Sequence, residues 1–129
     1  MLSPTTPFLL HAFVEPLAAS SFILSPASQI PNPDRESALL SHLLGGALLH
    51  SSFTALIFFF RPLEQWDATG RCAALAFAFW HLWPCYRALV RLSLKETKGT
   101  DREKTLGGPI SHLGVHGLFI SLFVWSAMQ

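Results

Sequence analysis

The stretch ALLSHLLGGALLHSSFTALIFFF, Ala38 to Phe60, decides the fold class. It carries no Asp, Glu, Lys or Arg, and at 1.5 Å per residue it is long enough to cross a hydrocarbon core roughly 30 Å thick. Three similar runs surround it. Phe8–Leu24 is apolar apart from His11 and Glu15. Cys72–Leu92 is rich in Ala, Phe and Trp, with Pro84 inside it and Arg87 and Arg91 near its end. Ile110–Met128 is uncharged and follows Gly107-Gly108-Pro109, a suitable helix entry. The expectation is an all-α membrane protein, a bundle of four transmembrane helices forming one domain over residues 1–129.

Composition supports that reading. Half of the chain is hydrophobic, only 13% is charged, and the mean hydropathy is +0.39. A soluble domain this small would struggle to hide so much apolar surface, and a lipid solvent removes the need. The net charge of +1 gives no electrostatic footprint for nucleic acid. Cys72 and Cys85 fall on one predicted helix, roughly 20 Å apart along its axis and beyond disulfide reach. Gly45-Gly46 lies inside a span and Gly107-Gly108 precedes one, so neither is a phosphate loop. The first run lacks the basic start of a signal peptide, and Glu15-Pro16 interrupts it. A transmembrane or re-entrant helix bent at Pro16 is expected there.

Basic residues set the orientation. Arg35, Arg87, Arg91, Lys95, Lys98, Arg102 and Lys104 fall on one side of a four-span layout, and only Arg61 and Arg71 on the other. The positive-inside rule then places loops 25–37 and 93–109 in the cytoplasm and both termini outside it. Trp66 and Trp125 fall near the non-cytoplasmic interface. The polar loop 95–108, which also holds Glu96, Asp101 and Glu103, serves as a solvated tether and a topology signal. Attraction to anionic headgroups is its functional alternative.

All six histidines lie within the apolar runs. Ionisable groups at membrane depth are costly and mark functional sites by default. Counted from the cytoplasmic ends, His42 and His112 lie about 6 Å deep, and Glu15, His50, His81 and His116 about 12–18 Å deep. Each helix thus contributes one ionisable group near the same level. His11 and Glu15 share a face, as do His42, Gly46 and His50, and His112 and His116. Small residues beside them favour close helix approach. His11 and His81 are separated by the same interval as His42 and His112, and Ser41-His42-Leu43 matches Ser111-His112-Leu113. A tandem pair of helical hairpins would explain that spacing, although the matches are short and chance explains them equally well.

Three functions suit these parts. The leading one is acid–base isomerisation or cyclisation of a hydrophobic metabolite of terpenoid, sterol or polyketide type. In it Glu15 donates a proton, His50, His81 and His116 act as bases or hydrogen-bond partners, and His11, Phe77, Trp80 and Trp83 shape the pocket, with Phe79 beside them. No cofactor is required. A second reading is a haem b or metal protein, with His50 and His81, or His42 and His112, as paired ligands. His112-x-x-x-His116 also puts two imidazoles on one face, without the glutamate of a zinc-protease motif. The third is a non-enzymatic scaffold or accessory subunit that docks partner membrane enzymes. Expected partners are the bilayer, a hydrophobic small molecule and, for so small a bundle, further copies of the chain.

In size and layout the chain resembles small four-span membrane proteins of lipid metabolism, including ergosterol-biosynthesis scaffolds and small membrane proteins of fungal secondary-metabolite pathways. The likeness is architectural, and no family residue maps onto a position here. It implies lipid or terpenoid biosynthesis at the endoplasmic reticulum.

Overall fold

A computed structural model describes residues 2–30, 32–94 and 108–129. The basic loop, residues 95–107, lies outside the described residues. The protein is all-helical, with no strand among the described residues: α1 (Thr6–Leu24), α2 (Pro26–Gln29), α3 (Arg35–Phe59), α4 (Ala68–Trp80), α5 (Leu82–Ser93) and α6 (Gly108–Ala127). Three helices, α1, α3 and α6, are long and apolar enough to cross a membrane. The chain divides into two compact units, residues 8–59 and residues 60–129, the latter with the first seven residues.

The first unit is a helical hairpin. Phe8 stacks on Phe58 with ring centroids 5.5 Å apart, and the Ser41 hydroxyl donates to the Phe22 carbonyl at 2.8 Å. Early residues of α1 thus meet late residues of α3 and the reverse, which makes the pair antiparallel. The buried residues of α3 are Ser41, Gly45, Leu48, Ser52 and Ala55. They step by four and three, the spacing that keeps a narrow seam against a partner helix. Pro16 lacks an amide hydrogen, but α1 runs through it without a break.

Close approach depends on Gly45. A Cβ there would stand 2.5 Å from Ile23 Cγ1 and 3.1 Å from the Ala19 carbonyl oxygen, whereas one on Gly46 would meet nothing within 4 Å. Gly46 lies on the open face. Overpacking of a tight contact costs about 1–3 kcal/mol. Gly45→Val is therefore expected to lower unfolding stability in detergent by that amount, and Gly46→Val to leave it nearly unchanged. Equal losses in the two variants would contradict the seam.

The second unit pairs α4 and α5 with α6, again antiparallel. Phe77 stacks on Phe123 at 5.2 Å, and the Arg71 guanidinium donates to the Gln129 carbonyl at 3.2 Å. The Ser126 hydroxyl donates to the Pro4 carbonyl at 2.6 Å, which ties the N-terminal residues to the end of α6.

The expected single helix over Cys72–Leu92 is instead two helices that meet at His81. Proline at position 84 explains the break. It has no N–H for the Trp80 carbonyl, and its ring occupies the space that carbonyl needs in a regular turn. The chain responds at His81 (φ −72°, ψ −10°), whose N–H reaches the Phe77 carbonyl at 3.3 Å. Helix resumes at once, since the Cys85 N–H reaches the His81 carbonyl at 3.3 Å.

Asp67 caps the start of α4. Its carboxylate accepts from the Thr69 N–H at 2.9 Å and the Gly70 N–H at 3.2 Å, and Arg61 pairs with it at 3.0 Å. The Gly70 N–H is the largest cause holding this carboxyl below its ordinary range, with Thr69 and Arg61 adding to it. A depressed acid stabilises the fold above its unfolded pKa of about 4 and stops doing so as pH falls through the lower folded value. The amide resonances of Thr69 and Gly70 should therefore titrate together with a midpoint below that of a free aspartate. They should stay flat in Asp67→Asn.

Candidate functional site

Each hairpin carries its own polar cluster on its inner seam. In the first, His11 and Glu15 sit one turn apart on α1, both shielded from solvent. His11 Nδ1 lies 3.8 Å from Glu15 Oε1, and His11 Nε2 lies 3.2 Å from the Ser51 hydroxyl oxygen. That hydroxyl makes a shorter contact, donating to the Leu48 carbonyl at 2.8 Å. With that proton on the Leu48 carbonyl, the 3.2 Å contact assigns the His11 N–H to Nε2. The pair sets a carboxyl group beside an imidazole.

In the second hairpin the break at Pro84 places His81 against α6. Its Nδ1 lies 2.8 Å from His116 Nδ1, so one ring donates and the other accepts, and the two are opposite tautomers. The fully buried His81 ring also stacks on Phe119, with centroids 4.7 Å apart and planes within 6°. Phe123 closes on it at 5.8 Å. One turn back along α6, the His112 ring runs parallel to that of His116 at 6.1 Å. The His112 Nδ1–H donates to the Gly108 carbonyl at 2.9 Å, which leaves its Nε2 as a lone pair.

Of the four groups expected at one level, Glu15 and His81 are buried and His116 is half-buried. His81 does meet His116, and Glu15 pairs with His11. His50 and His42 are exposed on the outer face of α3. The seam runs one residue earlier, through Ser41, Gly45 and Ser52, because those small side chains let the helices approach where His42 and His50 would hold them apart. Of the expected pocket residues, His11 and Phe77 are buried and Trp80 is half-buried. Trp83 is 61% exposed, set edge-on to the equally exposed Phe79 at 6.2 Å. Trp83 therefore stands on the outer face of α5.

Ser51, whose hydroxyl meets His11 Nε2, was not among the expected site residues. Serine is common in such helices, and only the seam spacing of α3 would have drawn attention to its neighbourhood. Comparison with known proteins finds no family model, no curated protein and no solved structure that matches the chain.

The imidazole pair predicts a measurable coupling. Truncating one ring strands the other's buried polar atom, at a cost of about 1–3 kcal/mol. Replacing both should cost less than the two single losses together. A double-mutant cycle of His81→Phe and His116→Phe, read by unfolding in detergent, is expected to give a coupling of about 1–2 kcal/mol. Additive losses would mean that the two rings do not pair.

Proposed function

We propose that the chain is a small integral membrane enzyme that moves protons on a hydrophobic metabolite, isomerising or cyclising it at the His11–Glu15 pair. Membrane placement rests on the inverted polarity of the hairpins. In the first, Phe13, Leu17, Leu43 and Phe53 stand exposed while His11, Glu15, Ser41 and Ser52 are buried. An apolar exterior over a polar seam suits lipid rather than water. The third crossing is formed by α4 and α5 together, which span about 39 Å end to end at helical rise. Loops 25–37 and 93–109 face the cytoplasm, both termini face the lumen, and the endoplasmic reticulum is the proposed membrane. Four spans in that order make the bundle.

The observation that carries the chemistry is the burial of Glu15 beside His11, 3.8 Å apart on one turn of α1. A carboxyl group in an apolar setting is less costly as the neutral acid, so Glu15 serves as the proton donor. It gives one proton to an alkene, epoxide or carbonyl of the substrate. One proton then leaves a neighbouring carbon, and the lone pair of His11 Nδ1 takes it up. Proton transfer from His11 back to the Glu15 carboxylate, 3.8 Å away, restores both groups. Substrate gains one proton and loses one, as isomerisation requires. Ser51 acts by position, since it holds His11 Nε2–H and keeps Nδ1 the accepting atom.

Such a reaction leaves a trace without knowledge of the substrate, because the proton delivered exchanges with solvent. Membranes containing the protein, incubated in deuterated water and extracted, are expected to yield a nonpolar metabolite one mass unit heavier. Glu15→Gln should abolish that label while the protein remains folded and inserted. Identical labelling in wild-type, Glu15→Gln and empty membranes would overturn the proposal.

A further inference from the structure

The hairpin of residues 8–59 uses one side of α3 and leaves the opposite side open. Its buried residues, Ser41, Gly45, Leu48, Ser52 and Ala55, step by four and three, the 3.5-residue repeat of a helix packed along its length. The opposite side carries a second stripe with the same steps: Leu39, Leu43, Gly46, His50, Phe53 and Ile57. All of these are exposed, and a Cβ on Gly46 would meet nothing within 4 Å. His50 is the one ionisable member of the stripe. Among the described residues, nothing bonds to its ring nitrogens. Hydrocarbon offers them no partner either.

We propose that this stripe docks α3 against α3 of a second copy, parallel and in register about a twofold axis, with the two His50 rings bonded to each other. The pattern itself selects the occupant. In a parallel pair with this repeat, each seam residue meets its own counterpart, and a single polar position fixes the register. Copies inserted under one charge bias enter the bilayer the same way round, which makes the pair parallel. Gly46 then faces Gly46, where the two backbones approach closely, and His50 faces His50 one turn further on. An imidazole both donates and accepts, so two copies of one ring satisfy each other. The chain makes such a bond between His81 and His116, at 2.8 Å. An antiparallel pair would instead set His50 against Gly46 and strand both rings. A stripe of Leu, Phe and Ile alone would be content with lipid. His50 calls for a group of its own chemistry at its own depth, and a second copy supplies one by symmetry.

This pairing requires α3 to cross the membrane, as proposed for the hairpin, and does not require the chemistry at Glu15. The two sides of α3 keep the roles apart: Ser51 meets His11 on the inner side, and His50 stands on the outer. The open setting of Gly46 also separates association from folding. At dilutions where copies are apart, Gly46→Val leaves the hairpin's own packing untouched, so a dimer lost in that variant is not a fold lost.

Cysteine cross-linking of the full chain in membranes tests the pairing, after its own thiols are removed by Cys72→Ser and Cys85→Ser. Oxidation with copper phenanthroline is expected to give covalent dimers from Leu39→Cys and Leu43→Cys, and few from Leu40→Cys and Leu44→Cys. Exposure does not separate the two sets, at 49% and 70% against 64% and 41%, so a difference between them reports a specific seam. Without the cross-linking cysteines, dimer fraction is read by sedimentation in micelles over a range of protein-to-detergent ratios. His50→Ala should weaken association by at least about threefold. His50→Asn, whose amide also donates and accepts, should restore part of that loss. Gly46→Val should weaken association while helical content is kept. A chain retained in membranes through alkaline carbonate that gives no dimer, or gives it equally at all four positions, would overturn the pairing and leave the membrane placement standing. Dimers indifferent to both His50→Ala and Gly46→Val would overturn it as well. Release of the chain by carbonate would overturn the membrane placement and the pairing together.

Discussion

Pro84 has no amide hydrogen, and much of the second hairpin follows from that. A continuous helix over this segment would leave the Trp80 carbonyl unsatisfied and in collision with the proline ring. The helix breaks at His81, directly after Trp80, and so avoids the collision. The break also sets the direction of the His81 side chain, which meets His116 at 2.8 Å and lies flat on Phe119. The bonds from the His81 N–H to the Phe77 carbonyl and from the Cys85 N–H to the His81 carbonyl carry the helical pattern up to and on from the break.

The two hairpins solve the same packing problem in different ways. The first relies on small residues: Gly45 lets the α3 backbone approach Ala19 and Ile23, and Ser41 bonds across to the Phe22 carbonyl. The second relies on rings, with Phe77, His81, Phe119 and Phe123 stacked along one seam. Both leave large apolar side chains on the outside, and each holds imidazoles against its seam: His11 in the first, His81 and His116 in the second. His42 and His50 stand on the outer face of α3 instead. Where a seam histidine has a partner, that partner limits which ring nitrogen can hold the proton, as Gly108 does for His112. Acid–base chemistry needs a ring nitrogen whose lone pair is placed in advance.

Hydropathy alone made the helical class legible, and Ala38–Phe60 was sufficient for it. The antiparallel hairpins were readable as a spacing of histidines, but a short match cannot distinguish repetition from chance. Facing was harder to read. On α3 the sequence offers two candidate stripes one residue apart, one with His42, Gly46 and His50, the other with Ser41, Gly45, Leu48 and Ser52. Functional expectation favours the first. Close packing selects the second, because an interior histidine holds helices further apart than serine or glycine does. His50 lies outside the seam for that reason. Pro84 was visible from the start, yet a proline in an apolar run either kinks a helix or breaks it, and only the backbone decides. His81 and His116 were among four groups counted to one level, and these two rings meet at 2.8 Å.

The central claim is that Pro84 turns His81 onto His116 and that the two imidazoles share one proton between their Nδ1 atoms. Nitrogen NMR of the 15N-histidine-labelled chain in micelles measures this directly. A shared hydrogen bond gives a through-bond nitrogen–nitrogen coupling between the two Nδ1 resonances, with one ring protonated at Nδ1 and the other at Nε2. Observing that coupling between His81 and His116 is the predicted result. Two rings with the same tautomer and no mutual coupling would contradict it.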